Sequence, residues 1–177
     1  MARFRKATAE KDFTAIATLA DTIWREHYTP IIGKAQVDYM LERFQSATAI
    51  ARQVAEGMQY FLVLKGEVPV GYLAFQKRGE ELFLSKIYVL KNFRGQGFGR
   101  AAMDFTEKKA RELGCYSISL TVNKNNEKSI QAYLKMGFEN RGPQVADIGG
   151  GFVMDDYRMV SVLTRGTPCG ATGSSPA

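Results

Sequence analysis

Residues 87–100 read IYVLKNFRGQGFGR, and this stretch joins an apolar, β-branched run to a glycine-rich turn. The turn leads into residues 101–113, a strong helix-forming segment that stops at Gly114. A strand, a glycine loop and a helix in this order present free backbone N–H groups where the helix dipole favours negative charge. The stretch therefore predicts a phosphate-binding loop. The alternative is a glycine-rich turn that only starts a helix.

The spacing of the glycines excludes two other phosphate-binding motifs. A dinucleotide fingerprint needs G-x-G-x-x-G, and counting from Gly95 its last position is Arg100. A P-loop needs Gly-Lys-Ser/Thr at its end, which this loop lacks. The pattern that remains, Arg94-x-x-Gly97-x-Gly99, resembles the acetyl-CoA loop of the GNAT superfamily of N-acetyltransferases.

A second motif, in residues 126–138, supports the same resemblance. It contains Asn126, Tyr133 and the pair Gly137-Phe138 at the spacing of the GNAT signature Asn-x-x-Ala-x-x-x-Tyr-x-x-x-Gly-Phe. Only Ser129 departs from the signature, where alanine is usual, and serine costs a helix little. Both motifs stand in the order of the family, so by element order the resemblance covers about residues 4–163.

The order of the predicted elements is that of an α/β (α+β) mixed sheet with a GNAT-like fold. A first strand and two or three helices, the first ending at Tyr28-Thr29-Pro30, precede a meander of three strands. A helix, a strand, a helix and two strands follow. We expect about seven strands with helices on both faces. We expect a single acetyltransferase domain over residues 1–165 and a disordered C-terminal tail over residues 166–177, which is rich in Gly, Ser, Thr and Pro.

The resemblance implies where acetyl-CoA binds. Its pantetheine arm would lie along the fourth strand, in a gap where the fourth and fifth strands splay, and a backbone N–H there would polarise the acetyl carbonyl. Its pyrophosphate would lie on the glycine loop, while ordinary surface charge is the alternative role for Lys91 and Arg100. Asn126 would contact the coenzyme, cap a helix, or do both. The implied residues are Ile87, Tyr88, Val89, Arg94, Gly95, Gln96, Gly97, Phe98, Gly99, Arg100, Asn126 and Tyr133.

In this family the tyrosine of the second motif is a general acid, which implies that role for Tyr133. A phenol has a pKa of about 10 and is protonated at neutral pH, so it can donate to a leaving thiolate whose thiol has a pKa of about 8.5. The seven residues from Asn126 to Tyr133 make about two helical turns, so both side chains project from one face. The alternative for Tyr133 is aromatic packing under Phe138.

The general base is harder to assign. An alkyl ammonium has a pKa of about 10.4, so freeing the amine at pH 7 costs roughly 4.6 kcal/mol, and the enzyme must supply a base, a water relay or a desolvating site. Some relatives place a glutamate near the fifth strand, where this chain has Thr121 and Val122. We rank Glu26 and His27 first, because the end of the first helix should overhang the acceptor cleft. The other candidates are Glu80, Glu81, Asp155 and Asp156.

Two segments of the chain bear on the identity of the acceptor. Residues 152–157 and the segment from Trp24 to Tyr28 look similar to bacterial spermidine/spermine N-acetyltransferases, which favours a polyamine or another small amine. The basic net charge of +6 does not by itself favour a polycation. The alternatives are a protein lysine or N-terminal amine, and a non-catalytic module that senses acyl-CoA.

Composition narrows the remaining classes of protein. The basic residues are scattered among acids, which argues against a nucleic-acid surface and fits a small polyanionic ligand. No apolar run approaches the roughly 20 residues of a membrane span, and the first residues lack a signal peptide, so we expect a cytoplasmic protein without a membrane partner. A single histidine and two cysteines argue against a multi-histidine metal site and a disulfide framework, and we expect no metal. The sequence does not decide between a monomer and a homodimer.

Overall fold

The computed structural model describes residues 1–164, and a seven-stranded mixed sheet runs through them. The elements in chain order are β1 (Ala2–Lys6), α1 (Glu10–Ile32), α2 (Lys34–Gln45), α3 (Ala47–Ala55), β2 (Gln59–Lys65), β3 (Val68–Arg78), β4 (Glu81–Val89), a 3₁₀ turn (Lys91–Phe93), α4 (Phe98–Glu112), β5 (Ser117–Asn123), α5 (Glu127–Lys135), β6 (Glu139–Gly149) and β7 (Phe152–Val162). The strand order is β1-β2-β3-β4-β5-β7-β6, and only β4 and β5 pair in parallel. The predicted fold class is confirmed.

Two apolar clusters, one on each face of the sheet, hold the helices in place. Because side chains alternate along a strand, neighbouring residues of β2 and β3 face opposite clusters. Tyr60 and Tyr72 lie in the cluster with α1, α2 and α3, whereas Phe61 and Phe75 lie in the cluster with α4. The helices therefore cover both faces, as predicted. The predicted tail at residues 166–177 lies outside the described residues.

Helix α1 runs past the proline that was expected to end it. It continues through Pro30 to Ile32, and the N–H of Gly33 closes the last turn on the carbonyl oxygen of Thr29 at 3.0 Å. Pro30 lies in the final turn of α1, so the helix loses only the one hydrogen bond that the N–H of residue 30 would have donated to the carbonyl oxygen of residue 26, and it ends two residues later. The expectation that Tyr28-Thr29-Pro30 ends the helix was therefore wrong, and α1 extends over the sheet opening with Tyr28 on its inner side.

Strand β4 carries a one-residue bulge at Ser85. Phe75 of β3 pairs with Leu84, whereas the preceding residue of β3, Ala74, pairs with Lys86, so Ser85 is the extra residue. A bulge bends its strand and increases its local twist, and such bulges are frequent beside active sites.

Strands β4 and β5 separate soon after they begin. Their parallel pairing is confined to Glu81–Ser117, Leu82–Ile118 and Phe83–Ser119, while β5 stays paired with β7 along its whole length. The backbone groups of β4 beyond Phe83 therefore have no partner strand on the β5 side. The result is a wedge-shaped opening in the middle of the sheet, where the resemblance implies a splay.

The described part of the chain, residues 1–164, contains no helix long and apolar enough to cross a membrane. Within the same residues no group of three or more His, Cys, Asp or Glu side chains is placed to hold a metal ion. The cytoplasmic location and the homodimer stay predictions.

Candidate active site

A cavity of about 310 Å³ lies in the opening between β4 and β5. It is lined by His27, Tyr28, Leu84, Ser85, Ile87, Tyr88, Val89, Arg94, Leu120, Thr121, Val122, Asn126, Lys128, Ser129, Ala132 and Tyr133. The structure thus brings six of the residues implied for the coenzyme together with His27. We call this space the coenzyme cavity. Glu26 does not line it and is exposed.

The glycine loop lies beside this cavity, between the 3₁₀ turn and α4. Gly95 and Gly97 have backbone φ values of 75° and 88°, which residues with a side chain rarely adopt. Gly97 is the residue immediately before α4. A Cβ atom on Gly97 or Gly99 would meet no atom within 4 Å, so the surface over the first helical N–H groups is open. Arg94 braces the loop, because its Nε donates to the carbonyl oxygen of Val89 at 3.0 Å.

The other polar residues of the loop make local contacts. Gln96 Nε2 donates to the carbonyl oxygen of Asn92 at 3.1 Å, and Arg100 Nε donates to Asp104 Oδ1 at 3.1 Å on the exposed face of α4. The ion pair of Arg100 is that of ordinary surface charge, which was its alternative role. The backbone of the loop, rather than its charged side chains, therefore offers the better anion site.

Replacing Gly99 by alanine tests whether the backbone of the loop binds the coenzyme. The position is helical and unobstructed, so we expect the free energy of unfolding to rise by about 0.5–1 kcal/mol. We also expect the affinity for coenzyme A to fall at least about tenfold, because the added methyl group occupies the approach of the pyrophosphate. Chemical denaturation and calorimetric titration measure the two effects.

Lys108→Gly, at an exposed position of the same helix, is the control. This variant should lower the free energy of unfolding and leave the affinity for coenzyme A unchanged. Unchanged coenzyme affinity in Gly99→Ala would contradict the assignment of the loop.

Asn126 and Tyr133 face the coenzyme cavity from α5. Asn126 is 4% exposed, its side chain makes no capping hydrogen bond, and it interacts with His27 and Tyr28 instead. A helix cap alone, the alternative for Asn126, is therefore not its role in this structure. Tyr133 packs against Phe138 with ring centroids 5.7 Å apart. Burial raises the pKa of the Tyr133 phenol, which keeps it protonated and able to donate a proton.

His27 also lies on the coenzyme side. Burial, assisted by the positive charge of Arg94, lowers the pKa of its imidazole, whereas hydrogen bonding with Asn126 acts to raise it. Its ring meets that of Tyr28 edge to face at 4.9 Å. At neutral pH His27 is therefore a neutral ring beside Asn126, on the side of the opening that the coenzyme would occupy.

A larger cavity, of about 550 Å³, opens on the face covered by α1, α2 and α3. We call it the acceptor cavity. Its walls come from α1, α2, α3, β4, β5 and the β6–β7 hairpin. The two cavities share five lining residues in and around the opening, namely Tyr28, Ser85, Tyr88, Leu120 and Thr121. The two spaces therefore meet where β4 and β5 separate.

A buried carboxylate and a lysine face this meeting point from the acceptor side. Asp156 of β7 is 4% exposed, and burial raises its pKa to about 6 although hydrogen bonding with Thr121 and the charge of Lys86 lower it. Burial lowers the pKa of Lys86 to about 8, and Asp156 acts against that shift. Lys86 Nζ donates to Ser85 Oγ at 2.9 Å. At neutral pH Asp156 is therefore mostly a carboxylate and can accept a proton.

The remaining carboxylates named from the sequence are less suited to proton transfer. Glu81 is held in an ion pair with Arg158, and Asp155 is exposed and lies 2.7 Å from Lys124 Nζ. Glu80 is exposed and lines neither cavity. Asp156 was named from the sequence but ranked behind Glu26 and His27, because the end of the first helix was expected to overhang the acceptor cleft. No local pattern in the sequence links Asp156 to Lys86.

A set of buried hydrogen bonds fixes the wall between α1 and the sheet. The hydroxyl oxygens of Tyr28 and Tyr88 are 3.0 Å apart, Trp24 Nε1 donates to the Tyr72 hydroxyl at 3.1 Å, and Tyr72 donates to Gln45 Oε1 at 2.7 Å. These bonds satisfy polar groups that burial would otherwise penalise. They hold Tyr28 and Tyr88 in place between the two cavities.

Comparison with known proteins identifies the family. The model of the Acetyltransferase (GNAT) family matches residues 17–138. An uncharacterized N-acetyltransferase of Mycobacterium bovis is 33% identical over 136 residues, which cover 76% of this chain and 86% of the relative. One of Lactobacillus delbrueckii subsp. lactis is 28% identical over 172 residues, which cover 89% and 92%. The chain therefore belongs to the GNAT family.

A solved structure agrees with this assignment at the level of the fold. The PaiA N-acetyltransferase of Thermoplasma acidophilum, in complex with coenzyme A, matches with a TM-score of 0.77 at 16% identity, over 92% of this chain and 99% of that one. By its family the protein is an acetyl-CoA-dependent N-acetyltransferase.

Proposed function

We propose that the protein transfers the acetyl group of acetyl-CoA directly to a primary amine of a small molecule, with both substrates bound at once. The observation that carries the proposal is the meeting of the two cavities at Ser85, Tyr88 and Thr121. Substrates that enter from opposite faces of the sheet would place the amine against the thioester without an acyl-enzyme intermediate.

The residues on the coenzyme side fit acetyl-CoA. The backbone of β4 from Ile87 to Val89 has no partner strand on the β5 side, and its groups there would bond the pantetheine arm as a neighbouring strand does, apart from the Val89 carbonyl oxygen that accepts from Arg94. The open backbone at Gly97 and Gly99 would take the pyrophosphate. Acetyl-CoA supplies an activated acyl group whose thiolate is a good leaving group.

The two proton transfers fall to residues on opposite sides of the opening. The nitrogen–carbon bond forms as the carbon–sulfur bond breaks, so one proton must leave the amine and one must reach the sulfur. Asp156, directly or through a water molecule, takes the first, and Tyr133 gives the second. The ammonium of Lys86 also disfavours a second positive charge nearby, which lowers the cost of freeing the amine.

The shape of the acceptor cavity favours a small molecule over a polypeptide. The β6–β7 hairpin is tied to α2 because Tyr39 donates to the carbonyl oxygen of Ile148 at 2.6 Å and Gln36 Nε2 donates to that of Val153 at 2.9 Å. These bonds close one side of the cavity, across which an extended peptide would otherwise lie. Polyamines and other small amines are both within the proposed class.

Initial-rate kinetics test the proposal. Thiol release from acetyl-CoA, measured at several fixed concentrations of an accepted amine, is expected to give intersecting double-reciprocal lines, since both substrates must be bound before reaction. Parallel lines would indicate a covalent acetyl-enzyme and contradict direct transfer. Release with peptides alone would contradict the small-molecule acceptor.

A further inference from the structure

We infer that the acceptor is an amine whose apolar body ends in an anionic group, such as a carboxylate, rather than a polyamine. This inference rests on the proposed function and concerns the same acceptor cavity. It is carried by the charges of the cavity, by their placement along β4, and by the apolar wall between them.

The charges that line the acceptor cavity do not form a polycation site. Four cationic side chains face three carboxylates there. Arg158 is paired with Glu81, and Lys86 faces Asp156. The groups that remain are the cations Arg52 and Arg78 and the carboxylate Glu56. A second ammonium group of a polyamine would have to lie among an excess of positive charge, whereas an anion would be attracted there.

The two arginines are available to bind an anion. Within residues 1–164 neither Arg52 nor Arg78 makes a salt bridge. The guanidinium carbon of Arg78 lies over the Phe83 ring, 4.0 Å from its centroid, which is a cation–π contact. Stacking uses the face of a guanidinium and leaves its N–H edge free for a bidentate bond to a carboxylate or phosphate.

Arg78 lies at the end of the cavity that is remote from the transfer point. Helix α3, which carries Arg52, ends beside the same part of β3, where Gln76 Nε2 donates to the carbonyl oxygen of Glu56 at 3.3 Å. Arg78 stands opposite Glu81 in the register of β3 and β4, beside the turn that joins the two strands. Lys86 is five residues further along β4. Because Ser85 is the extra residue of a bulge, this interval advances the strand by about four regular residues, or about 13 Å at roughly 3.3 Å per residue. Because an arginine side chain itself reaches back several ångströms, the acceptor should separate its amine from its anion by about 10 Å.

An apolar wall connects the two ends. It includes Ile32, Met40, Phe44, Met58, Ile148 and Met154. An acceptor with an apolar body gains binding free energy by burying that body against this wall, whereas the internal ammonium groups of a polyamine would gain none there. Methionine side chains adapt to different shapes, which suits an acceptor class with a variable body.

A matched set of amines tests the inference. Octylamine, octamethylenediamine and ω-aminooctanoate each have eight carbon atoms and differ only at the eighth, which is a methyl group, a methylene that bears an ammonium, or a carboxylate. We expect kcat/KM for ω-aminooctanoate to exceed that of the other two at least tenfold. ω-Aminobutanoate, which is too short to reach both ends of the cavity, should lose this advantage.

Variants of the two arginines test whether they cause the preference for the carboxylate. In Arg78→Gln and Arg52→Gln the ratio of kcat/KM for ω-aminooctanoate over octylamine should fall towards one, whereas Arg111→Gln on α4 should keep the ratio of the wild type. A preference for the diamine, or a ratio that neither variant changes, would overturn the inference and leave the proposed function intact. Thiol release with none of these amines or of a wider amine panel, despite tight coenzyme binding, would overturn both.

Discussion

Asp156→Asn is expected to lower kcat/KM by about two to three orders of magnitude at neutral pH, the usual contribution of a positioned general base. Asparagine has the shape of aspartate and can still bond with Thr121, but it cannot accept the proton of the amine. Thiol release under conditions of low amine concentration measures the effect. The affinity for coenzyme A, which binds on the other side of the opening, should stay within about twofold.

The pH profile of the wild type provides a second readout of this role. Burial raises the pKa of Asp156 to about 6, so the carboxylate that acts as the base is lost as the pH falls through that value. We therefore expect kcat/KM to decrease below about pH 6 in the wild type, in addition to any effect of amine protonation, and this limb to be absent from Asp156→Asn.

The neighbouring Asp155→Asn variant is the matched control. Asp155 is exposed and paired with Lys124, and it lines neither cavity, so its neutralisation should change kcat/KM by less than about threefold. Equal losses in the two variants, or a limb near pH 6 that persists in Asp156→Asn, would exclude Asp156 as the base.

Tyr133→Phe is expected to reduce kcat by about one to two orders of magnitude with little change in the dissociation constant of coenzyme A. Phenylalanine keeps the ring contact with Phe138 and removes only the hydroxyl that donates to the departing sulfur. The effect is smaller than that of Asp156→Asn because a thiolate leaves readily, whereas an ammonium gives up its proton with difficulty. Turnover kinetics and calorimetric titration separate the two quantities.

Tyr157→Phe controls for the loss of a phenol as such. Tyr157 packs at the edge of the cluster under α4 and lines neither cavity, so kcat should be unchanged. A wild-type kcat in Tyr133→Phe would remove the general-acid role and leave Tyr133 as a packing residue. A loss confined to coenzyme affinity would assign it to binding alone.

The coenzyme side of the site could be predicted from the sequence because each of its motifs is local. Residues 94–97 form one turn that leads directly into α4, and Asn126 and Tyr133 stand at the start and in the interior of one short helix, so their spacing alone determines their relative positions. The order of the elements along the chain and the mixed character of the sheet also followed from hydrophobic patterns and from the rule that parallel strands require a crossover. The position of β7 between β5 and β6 was not predicted.

The acceptor side could not be predicted in the same way. Lys86 and Asp156 are 70 residues apart, and they come together only through the antiparallel pairing of β5 with β7 and the divergence of β4 from β5. Neither contact leaves a periodic pattern in the chain. The preference for Glu26 and His27 came from the expected overhang of α1, but the structure places His27 on the coenzyme side and Glu26 outside both cavities.

The bulge at Ser85 also constrains how this gene can change its length. Before Ser85, the odd-numbered Glu81 and Phe83 face the acceptor cavity, and after it the even-numbered Lys86 and Tyr88 do so. An in-frame deletion of this single codon would remove the extra residue and restore a regular strand in which Lys86 still faces the acceptor cavity and Ile87 the coenzyme cavity. An in-frame deletion of the Ile87 codon would instead exchange the two faces for the residues of β4 that follow it. The loss of three bases at the bulge therefore keeps the alternation of the strand, whereas the same loss beyond the bulge reverses it.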